Sequence, residues 1–534
     1  MLAIIAPQYF LLVFHFFSWK NNFCVVPLLN ILNNNVSELK GTGLIELKTS
    51  YLNSRDMKQK RAIVWFRNDL RLHDNEAIQE ALRSAEETVF VYIFDERIFK
   101  GKTSFGFPKT GKFRAKFILE SVADLRENLQ KRGAELIVRV GKPEDILFDL
   151  ARLSRSSWLF CNRERTSEEE KVQDKLEQKL WTIGQEIRYV RGKMLYYTAD
   201  LPFPVPHTPD MFTQFRKETE RITPVREPLP TPDRFLKTTY ECQAGSLPTL
   251  EDFGHEDFEA DKRAVLPFKG GETEALNRLR YYLWESNLVK TYEETRNGMI
   301  GGDYSSKFSA YLAQGCLSPK MIYHELKKYE RERGDNKSTY WLFFELLWRD
   351  YFRLVGKKYG NSIFKVGGLT GKPDKKWQND DRLFSLWAEG RTGIPFIDAN
   401  MRELKLTGFM SNRGRQNVAS FLTKDLFVNW VMGAEWFESQ LVDYDPCSNY
   451  CNWTYVAGVG NDPRENRYFN ILSQAQRYDG AGDYVRLWLP ELKNVPVEKI
   501  HRPDTLTDSE QSKYALKLGV QYPKAMIHTA KWAH

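Results

Sequence analysis

Three groups of side chains in this sequence are spaced for chemistry. Ser305, Ser306, Lys307, Phe308 and Ser309 precede AYLAQG, and the spacing predicts an N-cap cluster opening a helix that Gly315 closes. Hydroxyls, free amides and a lysine at a helix start suit a pyrophosphate, because donors and dipole both favour negative charge there. Plain serine capping accounts for the same residues. Further on, positions 412, 415, 419, 423, 426 and 430 form one stripe at i+3/i+4 spacing, which predicts a single helix carrying Asn412, Arg415 and Trp430 on a common face. An arginine on a stripe suited to burial needs an anion, since an unpaired buried charge is costly. Asp443 is the candidate, as part of a ligand site or as an ordinary interhelix ion pair. In WLFFELLWRDYF, Glu345 and Trp348 are three apart and share a face. An acid beside an indole can hydrogen-bond and stack a flipped base, although a tryptophan in so apolar a helix is also an ordinary core residue.

The elements that must hold these groups are legible from periodicity. From Arg61, the runs AIVWF, VFVYIF, LIVRV, SWLFCN and IRYV alternate with amphipathic segments, which calls for a parallel sheet flanked by helices. TSEEE opens a helix after the fourth run, and Glu168 and Glu169 in its first turn complement the dipole. Closely spaced prolines in LPFPVPHTPD and TPVREPLPTPD disfavour regular structure and mark a connector. After about residue 272 strand patterns fade and helical spacing takes over. The expected organisation is an extension over 1–56, an α/β domain over 57–190, a connector over 191–271, an all-helical domain over 272–505 and a short tail over 506–534.

Composition narrows the classes. The net charge of +8 fits a phosphate backbone as partner without requiring one. Six scattered cysteines exclude a disulfide-dense secreted scaffold. Cys447 and Cys451 lack the second ligand pair a zinc site needs, so no metal is expected. The apolar run of 16 residues near the N-terminus is short for a membrane span, and it lacks the leading positive charge of a signal peptide. An extended start before Met57 or a targeting segment is the expectation, placing the protein in a chloroplast or mitochondrion if residues 1–56 are translated and in cytoplasm or nucleus otherwise. AIVWFRNDLRL carries no G-x-G-x-x-G after the first strand, which argues against a plain nicotinamide-linked oxidoreductase.

The motifs FRNDLRLHDN, YSSKFSAYLAQGCLSP, ELLWRDYFR, NRGRQNVASFLTKDLFVNW and DYDPCSNYCNWTYVAGVGNDP occur in that order. From residue 61 to about 500 the chain thereby resembles the photolyase/cryptochrome family, most closely its cryptochrome DASH branch. The resemblance implies a Rossmann-like parallel α/β domain followed by an all-helical FAD-binding domain. It implies FAD held by Tyr292, Ser305, Ser306, Lys307, Phe308, Ser309, Asn412, Arg415, Asp443, Asp445 and Asn449, with Asn449 at flavin N5. An amide there hydrogen-bonds either redox form without adding negative charge; a turn-forming asparagine is the plain alternative. Trp377, Trp430 and Trp453, separated by 53 and 23 positions, match the family's electron-hopping chain, with Trp387 as a side branch. Glu345, Trp348, Gln416, Tyr455 and Gln474 correspond to the cavity for a flipped pyrimidine dimer, and Glu345, Trp348 and Asn449 to its catalytic set. Glu168 and Glu169 correspond to a 5,10-methenyltetrahydrofolate antenna site.

Within the family, histidine-dependent (6-4) repair lacks its proton donor, because no histidine occurs between His324 and His501. Gln416 and Tyr455 stand where dimer photolyases commonly carry Met and Trp, and both changes lower the return for unstacking a duplex. The expected function is blue-light-driven repair of cyclobutane pyrimidine dimers, preferentially in single-stranded DNA, by a monomer with no membrane partner. The alternative is a blue-light photoreceptor with a signalling or transcriptional role and little repair. Tyr450-Cys451 departs from the Trp-Gly often found in the DASH branch, leaving local loop packing unexplained.

Overall fold

Each of the five alternating runs forms a strand. The computed structural model describes residues 60–371, 377–464 and 467–532, so the readings made for residues 1–56 lie outside the described residues. The strands β1 (Arg61–Phe66), β2 (Glu87–Asp95), β3 (Leu136–Gly141), β4 (Trp158–Asn162) and β5 (Glu186–Val190) pair in the order β3-β2-β1-β4-β5, all parallel. Helices α1 (Glu76–Ser84), α2 (Lys112–Gln130), α3 (Pro143–Ser154) and α4 (Ser167–Trp181) provide the crossovers and cover the faces. Because strand side chains alternate, β1 splits its residues between two cores. Ile63 and Trp65 pack with Leu147 of α3 and Leu176 of α4. Ala62, Val64 and Phe66 join Ile78 of α1 and Phe117 of α2 in a second core that continues through the helical half. Strand order reverses between β1 and β4, which creates a crevice at the carboxyl ends of those strands.

The proline-rich connector contains more regular structure than its composition predicts. Helix α5 (Phe212–Ile222) forms there, and it buries Phe212 and Phe215. The helical half is then built from α6 (Glu272–Arg280), α7 (Ser309–Gln314), α8 (Lys337–Tyr359), α9 (Pro395–Thr407), α10 (Asn412–Ser420), α11 (Trp430–Gln440), α12 (Pro446–Ala457) and α13 (Ile471–Tyr478), together with helices over Pro319–Arg333 and Asp381–Ala388 and shorter elements. An Asn336/Thr339 capping box starts α8. This helix is fastened to the segment after β5, because Asp350 accepts the backbone N–H groups of Leu195 and Tyr196 at 3.1 and 2.9 Å.

The continuous helix expected from Asn412 to Trp430 is interrupted. A π-turn spans Phe421–Asp425, Phe427 adopts a left-handed φ of 55°, and the strip around Val428 pairs with Gln378 instead of continuing the helix. Asn429 then caps α11 by accepting the N–H of Val431. Trp430 therefore begins a new helix and does not share a face with Arg415. The residues after 505 are also more than a tail, since Leu516, Tyr522 and Trp532 are buried and the Tyr522 hydroxyl donates to Asp398 at 2.6 Å.

Candidate functional site

The loop before α7 does not form a serine-capped helix start. Phe308 occupies the N-cap position, no side chain caps the helix, and Ser305 and Lys307 have left-handed φ values of 58° and 61°. Gly315 closes α7 as expected, in a left-handed conformation. Residues alternating into this region turn successive N–H groups toward one side, a backbone arrangement that receives anions. Arg278 of α6 holds the loop by donating to the carbonyls of Ser306 (3.0 Å) and Gly302 (2.9 Å). Tyr292 is buried, while Ser309 is exposed.

Lys307 is the loop's unmet need. The residue is 3% exposed, and its Nζ lies over the Tyr304 ring and donates to the Tyr304 carbonyl. No carboxylate stands within ion-pairing distance of it among the described residues. Burial, assisted by the neighbouring Arg278, pushes it down to about 6. Lys307 and Arg415 both approach the ring of Phe409, at 5.8 and 5.3 Å, so the loop and α10 meet over one side chain. Glu403 of α9 also faces this cluster. It accepts the Tyr484 hydroxyl at 2.6 Å, and burial raises it to about 8.

Arg415 does find Asp443, at 2.9 Å. Only one carboxylate oxygen is used, however, and Asp443 Oδ1 is buried with no donor. Asp445, the second aspartate expected as a ligand, bonds protein groups through both oxygens. Oδ1 accepts both the N–H and hydroxyl of Ser448 at 2.8 Å, capping α12, and Oδ2 pairs with Arg353 at 2.6 Å. Burial would raise this carboxyl, but Arg353, Arg349 and the Ser448 donors outweigh it and hold it at about 2. Asn449 lies within α12, so the turn reading is replaced by a helical one. Its amide nitrogen donates to the Ala434 carbonyl at 3.0 Å, which fixes the side chain by anchoring one end. Asn412 is exposed at the start of α10.

The second group gathers on α8. Glu345 pairs with Arg296, whose guanidinium lies 4.9 Å from the Trp341 ring centre. The next residue, Asn297, accepts from Arg413 at 2.9 Å, and Arg413 also donates to Gln416 at 2.8 Å. The Arg296-Asn297 turn thus ties Glu345 to Gln416. Glu345 keeps 34% side-chain exposure; desolvation raises its carboxyl and Arg296 opposes the rise. Trp348 stacks on Phe212 at 3.7 Å and 10°, which commits one indole face to α5, and meets Tyr455 edge-on at 5.9 Å. Gln474 of α13 keeps a buried, unpartnered oxygen. Sequence reasoning missed Arg296, Asn297, Arg413 and Phe212, because each acts through a partner distant in the chain.

Trp453 and Trp430 are 2% and 0% exposed, and Trp377 is half-buried. Trp453 makes ring contact with Trp387 at 6.4 Å. Trp430 contacts Tyr450 at 6.3 Å. The Trp453 ring lies against α11 at Gly433, where a Cβ would collide with the indole, so glycine is needed for the close approach. Tyr450 and Cys451 also sit in α12 and not in a loop. At the antenna position, Glu168 is taken by Lys109. Glu169 accepts from Thr166 at 2.7 Å and from Asn68 at 3.5 Å, and so lies at the β1/β4 crevice.

These features leave Lys307 without a carboxylate partner and Asp443 Oδ1 without a donor. Residues 62–233 match the family model for DNA photolyase, and residues 341–534 match that for the FAD binding domain of DNA photolyase. The chain belongs to the photolyase/cryptochrome family. A cryptochrome DASH of Xenopus laevis is 51% identical over 473 residues, covering 88% of this chain and 90% of that protein. An Arabidopsis thaliana relative named cryptochrome DASH, chloroplastic/mitochondrial, is 49% identical over 446 residues, covering 83% and 78%. The crystal structure of a Synechocystis cryptochrome matches with a TM-score of 0.86 at 48% identity, covering 89% of this chain and 98% of that one. The two-part photolyase/cryptochrome fold expected from the motifs is the fold found, and the match to a FAD binding domain supports FAD as the cofactor; a buried lysine without a carboxylate partner and a carboxylate oxygen without a donor suit a group bearing an anion and an N–H. Among the described residues no helix is long and apolar enough to cross a membrane, and no His, Cys, Asp or Glu cluster could hold a metal ion.

Proposed function

We propose that this protein uses light to repair cyclobutane pyrimidine dimers, preferentially in single-stranded DNA. The observation that carries the reading is the linkage of Glu345, through Arg296, Asn297 and Arg413, to Gln416 beside Arg415, which joins the acid-and-aromatic group on α8 to the residues assigned to the flavin. Reduced FAD, when bound and excited, supplies the electron that opens the cyclobutane ring. Lys307 and the loop before α7 bind its pyrophosphate, Arg415 and Asp443 orient the ring system, and Asn449 presents a neutral amide to it. Glu345 offers the flipped lesion a hydrogen bond once Arg296 turns to a DNA phosphate, and the Trp348 face not covered by Phe212 stacks on it. Gln416, already engaged by Arg413, and the phenol of Tyr455 return less stacking than Met and Trp would. Unstacking a duplex costs a few kcal/mol, which a single strand avoids. Glu169 at the β1/β4 crevice supports a folate antenna, since ligands of open α/β sheets bind at that switch point.

The test is FAD-loaded, chemically reduced protein under blue light with dimer-containing oligothymidine, as single strand and as duplex. Light-dependent loss of dimers from the single strand is expected. No repair on single strands by protein carrying reduced flavin would overturn the reading and leave photoreception as the activity.

A further inference from the structure

Tyr450 is unaccounted for by cofactor or lesion binding, yet it is placed between two reactive neighbours. Its ring meets that of Trp430 at 6.3 Å and 75°, and its hydroxyl donates to Glu438 Oε2 at 3.3 Å. Trp430 and Glu438 are eight positions apart on α11 and hence on one face, and α12 lays Tyr450 across that face. Tyr450 is 4% exposed. Tyr444 donates to the same carboxylate oxygen at 2.9 Å, and the Arg114 guanidinium sits 4.6 Å from the Tyr444 ring centre.

The surroundings of Trp430 favour passing an oxidising equivalent onward. Its indole N–H donates to the Val366 carbonyl at 2.9 Å, and a backbone carbonyl is too weak a base to take the proton. A fully buried indole that loses an electron therefore keeps its positive charge, at a high desolvation cost. A phenol can relieve that charge only if its own proton leaves as the electron does, and Tyr450, the ring that contacts Trp430 among the described residues, has a carboxylate to receive it. We infer that Tyr450 is a redox-active tyrosine that re-reduces oxidised Trp430 and delivers its phenolic proton to Glu438. One electron moves from the phenol to the indole radical cation, the O–H bond breaks, and an O–H bond forms on the Glu438 carboxylate. The products are neutral Trp430, a neutral tyrosyl radical and a protonated Glu438. This rests on the reading of Trp453 and Trp430 as an electron relay to FAD, which supplies the oxidant.

The experiment is flash excitation of the full-length, FAD-loaded Trp377→Phe protein, followed by electron paramagnetic resonance, with ring-deuterated tyrosine as the assignment. The expected result is a tyrosyl signal that narrows on deuteration, is lost in Tyr450→Phe, and is lost in Glu438→Gln while a tryptophan radical remains. A tryptophan radical alone in the Trp377→Phe protein overturns the inference, as does a tyrosyl signal that survives Tyr450→Phe. Absence of any tryptophan radical in the unsubstituted protein refutes instead the relay on which the inference stands. Folding and FAD loading of the two variants are read from the flavin absorption spectrum, and slower radical formation in heavy water supports the coupled proton step in the unsubstituted protein if either variant fails to load.

Discussion

Asp443 and Asp445 are two positions apart and look equivalent in sequence, but replacing each by asparagine should have opposite consequences. Asp445→Asn keeps an oxygen to cap α12 at Ser448, because asparagine is as good a cap as aspartate, and removes only the charge facing Arg353. The Arg353 side chain is 7% exposed, and its Nε already lacks a partner, so water cannot readily replace the lost carboxylate. Breaking a buried ion pair from one side costs about 3–5 kcal/mol. The depression of Asp445 from 3.8 to about 2 corresponds independently to about 2–3 kcal/mol. The apoprotein should lose about 2–5 kcal/mol in urea unfolding. Because the folded value is depressed, this contribution is present above the unfolded value of 3.8 and lost as pH falls toward about 2; the variant should lack that part of the acid dependence.

Asp443→Asn should change apoprotein stability by less than about 1 kcal/mol, since a partly exposed pair contributes little. Arg415 is 26% exposed and can be rehydrated, and the substitution gives the orphaned oxygen's site an uncharged group. FAD affinity, measured by titration of flavin fluorescence, should instead fall roughly 10- to 100-fold, the effect of losing a hydrogen bond to a charged group. If Asp443→Asn destabilises as much as Asp445→Asn and leaves FAD affinity intact, the division into ligand and scaffold is wrong.

Trp430→Phe should abolish photoreduction of oxidised FAD while sparing repair by chemically reduced protein; unchanged photoreduction would refute the relay. Gly433→Ala places a methyl group against Trp453 and Leu422, and should cost about 1–3 kcal/mol by overpacking and slow photoreduction by displacing the indole, both read against the unsubstituted protein. FAD affinity should fall as pH rises above about 6, because the Lys307 amine sits near that value without ligand and pyrophosphate holds it protonated, so binding takes up a proton. Titrations at several pH values check this, and Lys307→Met should flatten the slope. In the apoprotein the sign reverses: a lowered amine value makes folding release a proton, so stability gains from Lys307 as pH rises from about 6 toward the unfolded value of 10.5.

The five strands and their flanking helices were legible because period-2 and period-3.6 patterns are local, and β1 divides its side chains between two cores as alternation requires. The Arg415–Asp443 pair was also readable, since an arginine on a stripe suited to burial needs an anion. What the sequence by itself determined is thus the fold class, the ordered motifs and the chemical inventory of the site. The break before Trp430 was hidden because apolar spacing runs on through the π-turn, while the cause, pairing with Gln378, lies some fifty residues away in the chain. The same holds for the capture of Asp445 by Arg353, the bond from Arg296 to Glu345, and the stacking of Phe212 on Trp348. Each depends on which surfaces meet once the helices pack, and no local pattern encodes that. Only tertiary structure decided which of two neighbouring aspartates keeps an open oxygen, and which aromatic ring lies against the buried tryptophan.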